Sequence, residues 1–198
     1  MSVNTYLTTE ELTRLERAVV GIAGAGGLGS NVASHLVRAG VRRFVIADFD
    51  VVSPSNLNRQ FFFRDQIGRR KVEALAENLR RIEPDLELTL HDVRLDAANM
   101  PSLFGACDVV VEAFDNVESK SALLSALREK PVVSASGLAG WGRSNEMKVR
   151  RIGGNLVLVG DCSSDIRAGL APQSARVGIA AAMQANAALA LLLGHQDL

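Results

Sequence analysis

Apolar residues along the chain fall into short runs that alternate with segments of helical spacing. The first run, Val19 to Ala23, ends in a glycine-rich turn, after which apolar residues recur at helical spacing as far as Gly40. A second run, Phe44 to Ala47, follows directly. This part of the chain is therefore predicted to form a strand, a tight turn, a helix closed by Gly40 and a second strand.

The same alternation continues through the middle of the chain. It predicts helices over about 70–83 and 119–128, and strands near 86–90, 109–111 and 132–134. Such alternation is typical of a Rossmann-like α/β fold, with a mostly parallel sheet covered by helices on both faces. Later, two segments over 147–151 and 156–159 flank Gly153-Gly154-Asn155, which predicts an antiparallel hairpin added to the sheet. We expect one domain over residues 1–198.

Three further segments complete the pattern. Thr8 and Glu11 have capping-box spacing, which predicts a short first helix. The segment from Gly160 to Pro172 is rich in Gly, Ser and Asp and is predicted to be a mobile loop. The apolar segment from Val177 to Leu193 is rich in alanine and contains two amide side chains, so we expect a core helix and no membrane span.

Composition narrows the classes of partner and cofactor. The 22 basic residues balance the 22 acidic ones, so no overall field favours nucleic acid or an anionic membrane. The segment from Met1 to Ala18 has no apolar run, which argues against a secretory signal peptide and predicts a cytoplasmic protein. Two cysteines, Cys107 and Cys162, fall short of a four-thiolate zinc site, so zinc is not expected. We expect Cys107 to be a core residue, and favour an inert thiol for Cys162 over a sulfur-handling one.

The glycine turn is the first sign of ligand binding. Gly24, Gly26 and Gly29 fit the pattern G-x-G-x-x-G between a strand and a helix, with Gly27 as a further glycine inside it, and at such a place backbone amides and the helix dipole favour phosphate. Asp48 ends the next strand, where an acidic side chain accepts hydrogen bonds from ribose hydroxyls. These residues predict a nucleotide, and both ATP and a dinucleotide redox cofactor fit them. The alternative is a turn needed only for close packing.

Four sequence blocks distinguish between these nucleotides. A D-x-D block begins at Asp48, S-N-L-x-R-Q follows at 55–60, G-x-x-K-V at 68–72 and D-N at 115–116. In this order and spacing the chain resembles the ThiF/MoeB/HesA family of adenylyltransferases, relatives of ubiquitin-activating enzymes, from about residue 18 to residue 193. It lacks the two C-x-x-C zinc pairs of many relatives and in this resembles the compact ThiF branch of thiamine biosynthesis.

The resemblance implies an ATP site with bound magnesium. It implies that the glycine turn approaches the nucleotide, that Asp48 binds the ribose, and that Asp115 holds magnesium beside Asn116. Asp50 either contacts the metal bound to phosphate or holds its loop. The phosphate side of the site is implied to consist of Ser55, Asn56, Asn58, Arg59 and Lys71.

The chemistry of adenylation suits three of these residues as the catalytic set. A carboxylate is a weak nucleophile, so catalysis depends on positioning and on neutralising charge at the phosphates. Arg59 offers a planar fork of donors, Lys71 a compact charge, and Asp115 the single carboxylate that magnesium often uses with substrate phosphates. Each residue also has a non-catalytic alternative: Arg59 could be a solvated charge in a loop, Lys71 could lie on the exposed face of a helix, and Asp115 could cap a helix.

The resemblance also implies partners. The substrate is expected to be a small ubiquitin-like sulfur carrier protein of the ThiS type, ending in Gly-Gly, and a homodimer is expected in which Arg59 acts on the partner's nucleotide. Phe61-Phe62-Phe63 fits either a dimer interface or packing within the subunit. The arginine-rich N-terminal motif of many relatives is missing from Tyr6 to Arg17. Two other functions stay open: an NAD-dependent oxidoreductase, and a non-catalytic nucleotide-binding partner of the same fold.

Overall fold

The computed structural model describes residues 6–164 and 169–195. Its centre is a seven-stranded sheet in the order β3-β2-β1-β4-β5-β7-β6. All neighbouring strands are parallel except β6 and β7, which are antiparallel. This confirms the predicted α/β fold with a late hairpin. The strands are β1 (Val19–Ala23), β2 (Arg43–Ala47), β3 (Glu87–His91), β4 (Val109–Glu112), β5 (Val132–Ala135), β6 (Lys148–Ile152) and β7 (Leu156–Gly160).

Six α-helices lie within the described residues. The capping box at Thr8 is present, and Gly40 ends the second helix in a left-handed conformation with φ of 109°. The helices are α1 (Thr9–Arg17), α2 (Gly27–Ala39), α3 (Lys71–Arg80), α4 (Met100–Phe104), α5 (Val117–Ala126) and α6 (Ser174–Leu193). Short 3-10 helices occupy Pro54–Asn56, Arg64–Gln66 and Ser144–Glu146. The predicted loop from Gly160 to Pro172 lies partly outside the described residues.

Helix α6 is long and apolar enough to cross a membrane by length and composition. In this fold it packs on α2 and on strands β4, β5 and β7. Its fully buried Gln184 donates hydrogen bonds to the carbonyls of Glu112 and Val133, at 3.1 and 3.2 Å. The amide that interrupts the apolar run therefore satisfies carbonyl groups at the centre of the sheet.

The three consecutive phenylalanines are divided between core and surface. Phe62 is buried in the main core, whereas Phe63 is exposed and lies 5.8 Å from the ring of Phe61. The guanidinium of Arg81 lies 5.9 Å from the Phe63 ring. Phe62 thus packs within the subunit, and Phe63 leaves an aromatic surface exposed.

Candidate active site

The carboxyl ends of β1 and β4 mark the point where the order of strands reverses. From β1 the chain continues to β2 and β3 on one side, and β4 and β5 follow on the other. Ligands of open α/β sheets bind in the crevice at such a point. Two clefts open there, of about 320 and 310 Å³.

The two clefts share one wall, the loop that follows β4. The first, which we call the glycine cleft, contains Gly24, Gly26, Asp48, Asp50, Gln60 and Lys71 among its lining residues. The second, the arginine cleft, contains Gly27, Arg59, Lys120, Ala135, Gly137 and Cys162. Both are lined by Ala113, Phe114, Asp115 and Asn116.

Steric contacts explain the glycines of the turn. Gly24 has φ of +100°, and a Cβ on Gly29 would lie 1.8 Å from the Gly24 carbonyl oxygen. A Cβ on Gly26 would meet only the Gln60 Nε2, at 3.9 Å. Helix α2 begins after Gly26 without a side-chain cap, so its first amides are available to a ligand. The turn is built tightly on its inner side and is open towards the glycine cleft.

Asp48 fixes the shape of the turn from the end of β2. This carboxylate is buried, with 8% exposure, and one oxygen accepts a hydrogen bond from the Ala25 amide at 2.6 Å. The other oxygen accepts from the Asp50 amide at 2.8 Å. Each oxygen has a second lone pair, so Asp48 can still accept a ribose hydroxyl in the cleft.

Lys71 is the first residue of α3 and points into the glycine cleft. Its side chain is only 7% exposed, and its ammonium lies 2.7 Å from the Asp50 carboxylate. The Lys71 amide also donates to the Asp50 carbonyl at 3.0 Å. The exposed-face alternative for Lys71 is wrong, because the helix begins at this residue and directs it inward.

Arg59 lies against the glycine turn of its own chain but lines the arginine cleft. A Cβ on Gly27 would lie 3.4 Å from the Arg59 Cγ and 3.2 Å from a Val177 methyl. The guanidinium donates to the Ser55 carbonyl at 3.2 Å and to the Asn58 side chain at 2.7 Å. The absence of a side chain at Gly27 therefore lets Arg59 pack closely beside the start of α2.

The remaining polar residues of this loop hold its shape. The Asn56 side chain accepts from the Ser53 amide at 3.0 Å, and Ser55 and Ser53 hydroxyls lie 3.0 Å apart. The Asn58 side-chain amide donates to the Pro172 carbonyl at 3.3 Å. Ser55, Asn56 and Asn58, like Gly29, line neither cleft in this chain.

The sequence left open whether Asp115 caps the helix that follows it or is available to a metal, and the structure gives the cap to Asn116. Asn116 caps α5 by accepting a hydrogen bond from the Ser119 amide at 2.8 Å. Asp115 is exposed, and its one described hydrogen bond is a long one, 3.4 Å, from the Asn116 side chain. Because Asn116 serves as the cap, the carboxylate of Asp115 faces the shared wall with free lone pairs. A single carboxylate of this kind fits magnesium bound mainly by substrate phosphates.

Sequence reasoning assigned no role to two features of the glycine cleft. Gln60 is 9% exposed, and its buried Oε1 has no hydrogen-bond partner within the described residues. Gln60 belongs to the S-N-L-x-R-Q block, which was the signal available in the sequence. Arg94 lies 5.5 Å from the Phe49 ring at the other side of the cleft, a pairing that no local pattern indicates.

The two cysteines differ in environment. Cys107 is buried, and burial raises the pKa of its thiol to about 11, as suits a core residue. Cys162 is exposed in the arginine cleft, has a positive φ of 60°, and lies 3.5 Å from the Arg150 guanidinium. Among the described residues, the fold places the cation of Arg150 at this thiol. Arg167, the basic residue near Cys162 in the sequence, lies outside the described residues.

The chain is similar in sequence to curated proteins. Two curated relatives are the adenylyltransferase and sulfurtransferase MOCS3 of Caenorhabditis briggsae and the ubiquitin-like modifier-activating enzyme 5 of Drosophila ananassae. The first is 37% identical over 127 residues, covering 63% of this chain and 32% of the relative. The second is 31% identical over 142 residues, covering 66% and 36%. The chain thus spans about a third of their length.

Solved structures share the fold. Escherichia coli tRNA N6-threonylcarbamoyladenosine dehydratase, TcdA, in complex with AMP superposes with a TM-score of 0.85 at 22% identity, covering 93% of this chain and 90% of that one. E. coli MccB with AMPCPP and MccA gives 0.73 at 18% identity, covering 93% and 58%. A model described as the ThiF family matches residues 2–198. The chain belongs to the ThiF family.

Proposed function

We propose that this protein binds ATP in the glycine cleft and adenylates the C-terminal carboxylate of a small partner protein that enters through the arginine cleft. The observation that carries the proposal is the shared wall of the two clefts. One cleft has a phosphate-binding turn with Asp48 and Lys71, the other is open to a second molecule, and Asp115 lies where they meet.

The reaction follows from that arrangement. A carboxylate oxygen of the partner attacks the α-phosphorus of ATP, and the bond from this phosphorus to the bridging oxygen breaks. Pyrophosphate leaves with the electron pair, and an acyl-adenylate remains. Lys71 and the amides of the glycine turn balance phosphate charge. Asp115 is the residue that would hold magnesium, which when bound would supply positive charge beside the leaving pyrophosphate.

The names of relatives support this chemistry. One is an adenylyltransferase and another activates ubiquitin-like modifiers. Structures of the neighbouring fold hold AMP, ATP or AMPCPP. The arginine cleft also suits a chain end without side chains, because its walls include Ala113, Ala135, Gly137 and Ala139. Within this class we propose a ThiS-like sulfur carrier ending in Gly-Gly, in thiamine biosynthesis, because the two C-x-x-C pairs of other branches are absent from the sequence.

The test is exchange of labelled pyrophosphate into ATP. The protein is incubated with ATP, magnesium and each of several carrier proteins ending in Gly-Gly, and the exchange should depend on the carrier. Arg59→Ala and Asp115→Ala should lower the rate by at least about a hundredfold, with unchanged thermal unfolding. Tight binding of NAD with no binding of ATP, measured by calorimetry, would instead favour an oxidoreductase. ATP binding without exchange would favour a non-catalytic nucleotide-binding protein of the same fold.

We also propose a homodimer in which Arg59 serves the partner's site. Complementation between two variants tests this directly. In the proposed dimer each site takes Asp115 from one subunit and Arg59 from the other, so Arg59→Ala and Asp115→Ala damage a site from different subunits. If Arg59 acts in trans, mixing the two inactive variants should restore about a quarter of wild-type activity, since one of the two sites in each mixed dimer is intact. No recovery after complete subunit exchange places Arg59 in its own chain's site.

A further inference from the structure

A buried ion pair lies behind the shared wall, outside the residues assigned to the nucleotide. Glu112, the last residue of β4, is fully buried. One of its carboxylate oxygens accepts hydrogen bonds from the Lys120 ammonium and the Ser134 hydroxyl. The other accepts from the Phe114 amide at 2.8 Å. The carboxylate is thereby fixed in position and its charge is balanced by Lys120.

Lys120 connects this buried carboxylate with the arginine cleft. It is the fourth residue of α5, and its ammonium also donates to the Ala135 carbonyl at 2.7 Å. An ammonium has three donors, and within the described residues two are used by Glu112 and Ala135. The side chain is 21% exposed and lines the arginine cleft. One N–H of a rigidly held cation is therefore left for a molecule in that cleft.

The proposed reaction needs a cation at this place. A carboxylate that approaches the α-phosphorus is repelled by the triphosphate, and the glycine cleft uses its own lysine, Lys71, on the nucleotide side. Arg59 is the other described cation lining the arginine cleft; its Nη1 donates to two acceptors of its own loop, and in the proposed dimer its guanidinium serves the partner's nucleotide. Lys120 differs because it is anchored from behind by Glu112, so its orientation does not depend on a loop.

We propose that Lys120 is a positioning residue that binds the terminal carboxylate of the acyl substrate in the arginine cleft and holds it at the shared wall. The inference rests on the proposed adenylation and adds the group that recognises the charged chain end. Glu112 acts through Lys120 by fixing the ammonium. A substrate that ends in an amide would lose this contact, whereas one that ends in a carboxylate keeps it.

The test compares two peptides on protein saturated with AMPCPP, so that no reaction occurs. One is an octapeptide ending in Gly-Gly with a free carboxylate, and the other is the same peptide as its C-terminal amide. Wild type should bind the carboxylate at least about tenfold more tightly than the amide, and Lys120→Gln should bind both equally. AMPCPP affinity, measured first by calorimetry, should be the same in both proteins.

Two further variants separate positioning from folding. Lys130→Gln is the matched control, because Lys130 is also a half-buried lysine bonded to a carbonyl, that of Cys107 at 3.2 Å, and lines neither cleft. It should keep the wild-type preference. The double variant Glu112→Gln with Lys120→Gln removes both charges, so it should unfold at a higher temperature than Lys120→Gln alone and still lack the preference.

The outcomes are distinct. Equal binding of both peptides by wild type, or recovery of the carboxylate preference in the double variant, overturns the role of Lys120. If wild type does not bind AMPCPP, the proposed nucleotide site is overturned instead. The inference is supported if all the proteins bind AMPCPP and the preference for the carboxylate peptide disappears only in the variants that lack Lys120.

Discussion

The glycine turn offers a substitution that separates folding from nucleotide binding. In Gly26→Ala the new methyl group meets no atom closer than the Gln60 Nε2 at 3.9 Å, although the backbone, with φ of −81° and ψ of −148°, lies outside the α and β regions that alanine prefers. The fold therefore has space for the methyl group. That space is the glycine cleft itself, where a phosphate has to approach the first amides of α2.

The size of the effect follows from those amides. A methyl group keeps the phosphate from closing on the backbone and weakens one hydrogen bond to a charged group, worth about 1.5–3 kcal/mol. We therefore expect ATP to bind about 10–100-fold more weakly to Gly26→Ala. The free energy of unfolding should fall by only about 1–3 kcal/mol, which is the cost of this ψ for a residue with a Cβ, because no core contact is disturbed.

Calorimetric titration with ATP and magnesium measures the first quantity, and thermal unfolding measures the second. Gly154→Ala is the matched control, since its Cβ would meet nothing within 4 Å and would lie in the β6–β7 turn, away from the clefts. It should leave both quantities unchanged. Gly29→Ala is the opposite control, because its Cβ would overlap the Gly24 carbonyl oxygen at 1.8 Å, and it should cost more than about 4 kcal/mol of stability. Wild-type ATP affinity in a folded Gly26→Ala would refute the assignment of phosphate to this turn.

Three more outcomes are expected. Lys71→Met should weaken ATP binding in the same titration about tenfold or more with little loss of stability, and unchanged affinity would remove Lys71 from the site. Burial opposes ionisation of Asp161, but hydrogen bonds from Ser164 and Arg176 outweigh it and hold its pKa at about 2, below 3.8. Its contribution to stability is therefore complete above pH 3.8 and lost as the pH falls towards 2, and Asp161→Asn should flatten that part of the unfolding profile; a parallel profile contradicts this. Cys162→Ser should keep pyrophosphate exchange, because adenylation needs no thiol, and loss of exchange would assign the thiol a role in this step.

The fold was largely predictable because its signals are local. The strand from Val19 to Ala23, the glycine turn and the helix ended by Gly40 all depend on residues adjacent in sequence, and the structure confirms them. Helix α4 was missed because it has only five residues, Met100–Phe104, and so lacks a repeating apolar pattern. The predicted 70–83 helix is shorter, Lys71–Arg80, since local periodicity does not define where a helix frays.

The site was predictable where residues end a strand or begin a helix. Asp48, Lys71 and Asp115 occupy such positions, and they line one cleft because the carboxyl ends of parallel strands meet at one edge. Pairings made across the sheet could not be predicted in this way. Glu112 and Lys120 are close in sequence, yet the burial of one and the exposure of the other depend on β5 and α6 being packed around them.

Strand β4 connects the two halves of the proposed reaction. Its last residue, Glu112, points inward and anchors the cation of the arginine cleft, whereas Asp115, three residues later, faces outward at the wall shared with the glycine cleft. A nucleotide on one side and a carboxylate on the other would thus be oriented by the end of a single strand. Because that strand is the centre of the sheet and fully buried, a shift of either substrate group relative to the other would require the core to move. This rigidity suits a reaction in which the attacking oxygen and the α-phosphorus must be aligned before the bond forms.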